Sequence, residues 1–257
     1  MDAPPPFVPQ SAPPPAPQPA PLRLPLSRPR LVYALMVIIG LVFVLEELSG
    51  GSQNSRVLVN LGANYAPRVA AGEYWRLFTA NFLHIGFFHV AMNGYALYVL
   101  GQEAEAIYGS ARFLVIFLLA ALAGAIASFA FTYGLSAGAS TGIFGLIGTM
   151  IAYFVRNRKV FGAMGRSRLN NLLFVAAINV VYGLSVPAID NWGHAGGLLG
   201  GLLLGWLLCP FYEIETAADG SRRVIDRNSL QTEWLGVGLV VILLIVAFVA
   251  ALSFPRA

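Results

Sequence analysis

The sequence predicts an all-α, polytopic membrane protein, and three observations carry that prediction. Of the 257 residues, 57% are apolar and 11% charged, where an ordinary soluble domain has about 45–50% and about 25%. The charges fall in short clusters between long apolar runs, so the net charge of +4 points to a membrane rather than to nucleic acid. Seven of those runs approach the length of about 20 residues that a helix needs to cross a bilayer. The lone cysteine, Cys209, rules out a disulfide framework and cysteine-based metal sites. The glycines sit in apolar stretches without the lysine of a phosphate loop.

Residues 1–30 contain twelve of the sixteen prolines, a composition that cannot form a helix and has little to bury. The stretch is read as a disordered proline-rich cytoplasmic tail, and it matches neither a mitochondrial nor a secretory targeting pattern. The expected spans are roughly 31–47, 82–101, 113–134, 140–155, 171–189, 193–209 and 234–254. The fourth and sixth are short. A polar cytoplasmic linker is expected at 211–233, and the featureless run after it reads as an appended anchor with a short outer tail, the whole covering 234–257. With the N-terminus inside, twelve of the sixteen Lys and Arg residues fall on the cytoplasmic side, which is the bias that sets orientation. Spans two, four and six then all enter from outside.

Polar side chains inside spans are costly and mark function. Span two holds His84, His89 and Asn93. His89 and Asn93 share a helical face, and His84 lies about 140° away if the helix already runs through it. Span four opens with Gly138-Ala139-Ser140-Thr141-Gly142, and span six with Trp192-Gly193-His194-Ala195-Gly196-Gly197. All three groups stand at the outer ends of their spans and can meet at one depth. Glycines 196, 197, 200 and 201 form a small-residue face, and with Gly142, Gly145 and Gly148 they suit spans four and six to close contact. Ser128 and Ser136 are read as packing serines. Asp190, four residues before His194, is read as a solvated loop residue.

The run Gly72-Glu73-Tyr74-Trp75-Arg76-Leu77, then Asn81-Phe82-Leu83-His84 through His89 to Asn93-Gly94-Tyr95-Ala96-Leu97, then GASTGIFGL at 138–146 and GHAGG at 193–197 resembles the rhomboid intramembrane serine proteases. The resemblance covers about residues 55–210, with the motifs in family order. It implies a six-helix core, residues 31–210 here, plus one C-terminal transmembrane helix. It also implies a Ser–His dyad that cleaves other membrane proteins. Carried over, Ser140 matches the nucleophile and His194 the general base. His89, Asn93 and the Ser140 backbone N–H match the oxyanion hole. His84 matches a supporting histidine, and Phe144 an aromatic residue that packs against the base. Glu73, Trp75 and Arg76 match a structural motif of the outer loop.

Serine proteolysis needs a base for the hydroxyl proton and donors aimed at the developing oxyanion, and these residues supply both. No cofactor and no metal are expected: a zinc site built from the three histidines would leave Ser140 and Asn93 idle. The expected partners are single-span transmembrane substrates and the lipid bilayer, not nucleic acid. The sequence departs from the common G-x-S-G pattern at Thr141, where a small side chain near the first turn of span four is compatible with a helix. A catalytically inactive relative that binds transmembrane segments is the alternative reading, and labelling by a fluorophosphonate separates the two. A channel or transporter is disfavoured because no paired charges cross the midplane and no inverted repeat is visible.

Overall fold

A computed structural model describes residues 24–132, 134–216, 222–228 and 230–253. Most of the proline-rich stretch, 1–23, and residues 254–257 lie outside the described residues. The first helix, α1 (Leu31–Leu48), has no side-chain cap of its own. Instead Glu105, distant in sequence, accepts the N–H groups of Arg30, Leu31 and Val32 at 2.8–2.9 Å, which satisfies donors that a helix start leaves free.

The connection that follows is folded. It comprises α2 (Ser55–Leu61), the two-residue strand β1 (Asn64–Tyr65), α3 (Ala66–Ala70) and α4 (Arg76–Thr79), with a 3-10 turn at Ala80–Phe82. The Gly72–Leu77 motif earns its place through Arg76, which is 3% exposed. Its guanidinium binds Glu73 and the carbonyls of Val59 and Ala63. A planar fork of donors can close several chain segments at once.

Span two does not start at residue 82. The chain is non-helical over 83–86 and turns by 90°. A helix then runs through α5 (Phe87–Ala96), a wider π turn at Leu97–Gly101 and α6 (Gln102–Tyr108). Gly86, with φ +82, takes a conformation that only glycine adopts cheaply, immediately before α5 begins. His84 is therefore outside the helix that carries His89 and Asn93.

After α7 (Ser110–Phe131) a second two-residue strand, β2 (Leu135–Ser136), pairs antiparallel with β1. It leads into α8 (Ser140–Arg156), whose residues 141–154 are all buried. Three further helices surround this centre or lie beyond it: α9 (Arg158–Ser185, broken at Gly162), α10 (Asn191–Leu207) and α11 (Leu230–Leu252). Glycines let α10 touch two neighbours. A Cβ on Gly197 or Gly201 would overlap the carbonyl oxygens of Thr141 and Gly145 on α8, whereas Gly196 and Gly200 face Ala127 and Ala123 on α7. The glycines expected to form one face thus form two, because each pair repeats every four residues while the pairs are offset by one residue, about 100° around the helix.

Residues 211–233 are more than a polar connection. Strands β3 (Tyr212–Thr216) and β4 (Arg222–Asp226) pair antiparallel. Arg112 at the start of α7 pins them through Asp226 at 2.6 Å and the Asn228 carbonyl at 2.8 Å. Helix α11 also does more than anchor, because Phe248 packs on Phe129 of α7 and on Tyr74 of the connection between α1 and α5.

Among the described residues α1, α7 and α11 are long and apolar enough to cross a bilayer, and the bent pair ending in α5–α6 makes a fourth. The chain is a mostly helical, multi-pass membrane protein. At 17 residues, α8 and α10 are each about 25 Å long, short of the roughly 30 Å hydrocarbon core.

Candidate active site

Three segments far apart in sequence converge where α8 and α10 begin. Ser140 is the first residue of α8, so its backbone N–H has no acceptor within the helix and lies at the positive end of the dipole. His194 stands in the first turn of α10, and its Nε2 is 2.9 Å from Ser140 Oγ. Phe144, one turn below Ser140, stacks on the imidazole with centroids 4.1 Å and planes 11° apart. The other imidazole nitrogen, Nδ1, is buried, and among the described residues it has no hydrogen-bond partner, so no described carboxylate extends the pair.

The third segment brings the remaining histidines. His84 is fully buried. Its backbone N–H donates to Glu46 at 2.9 Å, its Nδ1 contacts the Phe82 carbonyl at 3.2 Å, and its Nε2 accepts the Ala139 N–H at 3.3 Å. It holds the residue that precedes Ser140. His89 meets His84 edge to face, and its Nδ1 accepts the Ile85 N–H at 3.2 Å. A neutral His89 therefore carries its proton on Nε2. A Cβ at Gly138 would lie 3.0 Å from His89 Nε2 and 3.6 Å from Ser140 Oγ, so both atoms flank this glycine. Gly138 has φ +144, a second reason that no side chain fits there. Asn93 is buried and donates from Nδ2 to the His89 carbonyl one turn back, at 2.9 Å.

Thr141 has ordinary helical geometry and is 5% exposed. Its hydroxyl neither caps the helix nor bonds back to a carbonyl: it donates to Asn81 Oδ1 at 2.6 Å. Asn81 in turn donates to the Leu77 and Phe78 carbonyls. The Thr141 methyl sits in the space that Gly124 and Gly193 leave open.

Asp190 overturns the reading of a solvated loop carboxylate. It caps α10, accepting the Gly193 N–H at 2.9 Å, and also accepts the hydroxyls of Thr132 at 2.8 Å and Ser136 at 2.6 Å. Ser136 is therefore a partner of Asp190 rather than a packing serine. An Asp just before an apolar helical run is a helix-start signal and was legible in the sequence. The partners Asn81, Thr132 and Ser136 were not, because only folding brings them near.

A cleft of about 830 Å³ opens beside His194 between the end of α7, the end of α9 and the start of α10. Phe131, Phe144, Leu184, Ile189 and Trp192 give it an apolar lining, which Asp190 also joins.

Comparison with known proteins agrees with these motifs. The Rhomboid domain profile matches residues 71–211. Over 175 residues the chain is 44% identical to Rhomboid protease GluP of Bacillus subtilis (strain 168), an alignment covering 68% of this chain and 34% of that protein. It is 37% identical over 157 residues to RHOMBOID-like protein 6, mitochondrial, of Arabidopsis thaliana, covering 60% and 50%. It is 35% identical over 156 residues to Rhomboid-like protease 1 of Toxoplasma gondii, covering 60% and 53%. The chain thus spans about a third to a half of the length of these relatives.

Proposed function

The chain belongs to the rhomboid family, and from that membership we propose that it is an intramembrane serine endopeptidase acting on transmembrane segments of other proteins. The observation that carries this reading is the 2.9 Å contact between His194 Nε2 and Ser140 Oγ beside an apolar cleft. In this reading Ser140 is the nucleophile and His194 the base. Nε2 takes the hydroxyl proton as Oγ bonds to the scissile carbonyl carbon. The charge that develops on the carbonyl oxygen meets the Ser140 N–H, the His89 Nε2–H and the Asn93 amide. The imidazolium then gives its proton to the departing amine as the C–N bond breaks, and water releases the acyl group through the same base.

Among the described residues His194 has no carboxylate on Nδ1, and in this reading the stack on Phe144 orients the ring. His84 acts indirectly, by holding Ala139 and through it the start of α8. These steps need no cofactor.

In the same reading α1, α5–α6, α7, α8, α9 and α10 are the six core spans within residues 31–210, and α11 is the seventh. The N-terminus is cytoplasmic, the C-terminus outside, and the site lies in the outer leaflet of the cell membrane. The linker 211–233 is cytoplasmic. The substrate is a single-span membrane protein cut near the outer end of its helix, where small or helix-breaking residues let the peptide unwind into the cleft.

The test uses purified full-length chain, a panel of single-span substrates and a fluorophosphonate probe. Wild type cuts and labels, while Ser140→Ala and His194→Ala do neither yet remain folded. Undiminished turnover in either variant overturns the dyad.

A further inference from the structure

We propose that Asp190 is the positioning residue that fixes the start of α10 against the segment carrying Ser140, and so sets the Ser140–His194 distance. The inference rests on the dyad reading above and goes beyond it by naming what holds the two halves in register.

The need for such a residue follows from the α8–α10 contact. That contact is made by glycines against backbone: Gly197 and Gly201 of α10 against Thr141 and Gly145, and Gly148 of α8 against Leu198. It brings the helices close, and side chains tie its far half: Thr149 of α8 donates to the Gly201 carbonyl at 3.0 Å, and the Tyr108 hydroxyl donates to the Thr149 and Gly205 carbonyls, all about two turns from the end that carries Ser140 and His194. The approach to Ser140 is lightly held. Between β2 and α8, the Gly138 N–H reaches the Ala80 carbonyl at 2.9 Å and the Ala139 N–H reaches His84, and both of these ties run away from α10.

Asp190 supplies a lateral tie at the Ser140 and His194 end. Oδ2 accepts the hydroxyl of Ser136, four residues before Ser140. Oδ1 accepts the Gly193 N–H, immediately before His194, and the hydroxyl of Thr132, where α7 ends. One side chain therefore joins the end of α7, the strand leading to the nucleophile and the helix leading to the base. Hydrogen bonds to a carboxylate are about twice as strong as neutral ones, and three on one rigid group define a position rather than a mere contact. A Cβ at Gly193 would lie 2.6 Å from Asp190 Oδ2 and 3.2 Å from the Thr141 methyl, so this tie leaves no slack beside the residue following the nucleophile.

The consequence is kinetic. A misplacement of 1 Å between reacting groups can cost about a hundredfold in rate. Asp190 touches neither Ser140 nor the His194 ring in these hydrogen bonds, so it acts through position.

The experiment compares wild type, Asp190→Ala, Asp190→Asn and the double variant Thr132→Val/Ser136→Ala as full chains in liposomes. The readouts are kcat and KM on a single-span substrate, the fluorophosphonate labelling rate, and amide hydrogen exchange. Asp190→Ala should lower kcat and labelling by about 10–100-fold, with KM within twofold. Exchange should quicken over 136–141 and 191–195 while the middle of α8 is unchanged.

Asp190→Asn should stay within about threefold of wild type. Its amide oxygen keeps the Thr132 and Gly193 bonds, and the Ser136 hydroxyl can turn to accept from the amide. The double variant retains the Gly193 cap and should still lose about tenfold in kcat; it carries the test if Asp190→Ala does not fold. Wild-type kcat in Asp190→Ala or in the double variant overturns the proposal. So does faster exchange throughout α8 and α10, which would make Asp190 a general fold residue. If wild type neither cuts nor labels, the endopeptidase reading fails, and the exchange pattern alone then decides the role of Asp190.

Discussion

Phe144 lies parallel to His194, with ring centroids 4.1 Å and planes 11° apart, and it sits one helical turn after Ser140 on the same helix. The helix that presents Ser140, the proposed nucleophile, therefore also carries the surface against which His194, the proposed base, rests. With Nδ1 of His194 unpartnered among the described residues, this stack and the contact of Nε2 with Ser140 Oγ hold the ring. Aromatic pairs are worth about 0.5–1.5 kcal/mol beyond their buried area. Phe144→Leu should accordingly lower kcat by about 2–13-fold with little change in KM, measured on a single-span substrate, and an unchanged kcat would remove Phe144 from the site.

The proposed oxyanion donors give a different signature. His89→Ala and Asn93→Ala should reduce kcat more than they raise KM, because such donors act mainly in the transition state. Loss of one donor costs about 10²–10³-fold in a soluble serine protease, and a similar or smaller loss is expected here. Effects confined to KM in both variants would withdraw the assignment.

Thr141 has two contacts that separate its roles. Thr141→Val keeps the methyl against Gly193 and Gly124 but strands Asn81 Oδ1, a buried acceptor, at a cost of about 1–3 kcal/mol. It should lower thermal stability more than activity. Thr141→Gly removes both contacts and should keep activity within about tenfold. Thr141→Leu cannot fit between those glycines and should harm both. Full activity with Leu would show that the position does not face α10.

Gly201→Ala places a methyl on the Gly145 carbonyl, backbone that cannot yield as a flexible side chain can. The helices must separate, so expression and thermal stability should fall steeply, with activity falling alongside. Gly238→Ala, where nothing lies within 4 Å, is the control and should be silent. Equal stability of the two variants would contradict the close α8–α10 contact.

The connection between α1 and α5 should weaken in acid. Hydrogen bonds from Arg76 and then Arg68 hold the Glu73 carboxyl below its ordinary value of 4.5. A group with a lowered folded pKa stabilises the fold above its unfolded value, and that contribution disappears as pH falls through the folded value. Proteolytic nicking of residues 62–76 should therefore increase below about pH 4.5 in wild type but show a flatter pH profile in Glu73→Gln. An identical profile in the variant would assign the acid sensitivity elsewhere.

The sequence by itself determined that this is a multi-pass helical membrane protein of the rhomboid family. Apolar runs have no other way to satisfy their backbone in lipid, and the motifs around residues 72–97, 138–146 and 193–197 are local strings that survive without coordinates. It also marked Ser140, His194, His89 and Asn93, because polar groups in such runs stand out. Tertiary structure decided what those strings touch. That span two begins after a 90° turn depends on Gly86 and on the bond from His84 to Glu46, a partner 38 residues away. That α10 has two glycine faces depends on which neighbours flank it. That Asp190 is a three-way acceptor rather than a solvated charge depends on Thr132 and Ser136, more than 50 residues upstream. Local pattern reports a residue's own preference for lipid, helix or turn, whereas a hydrogen bond between distant segments exists only once packing has brought donor and acceptor within about 3 Å.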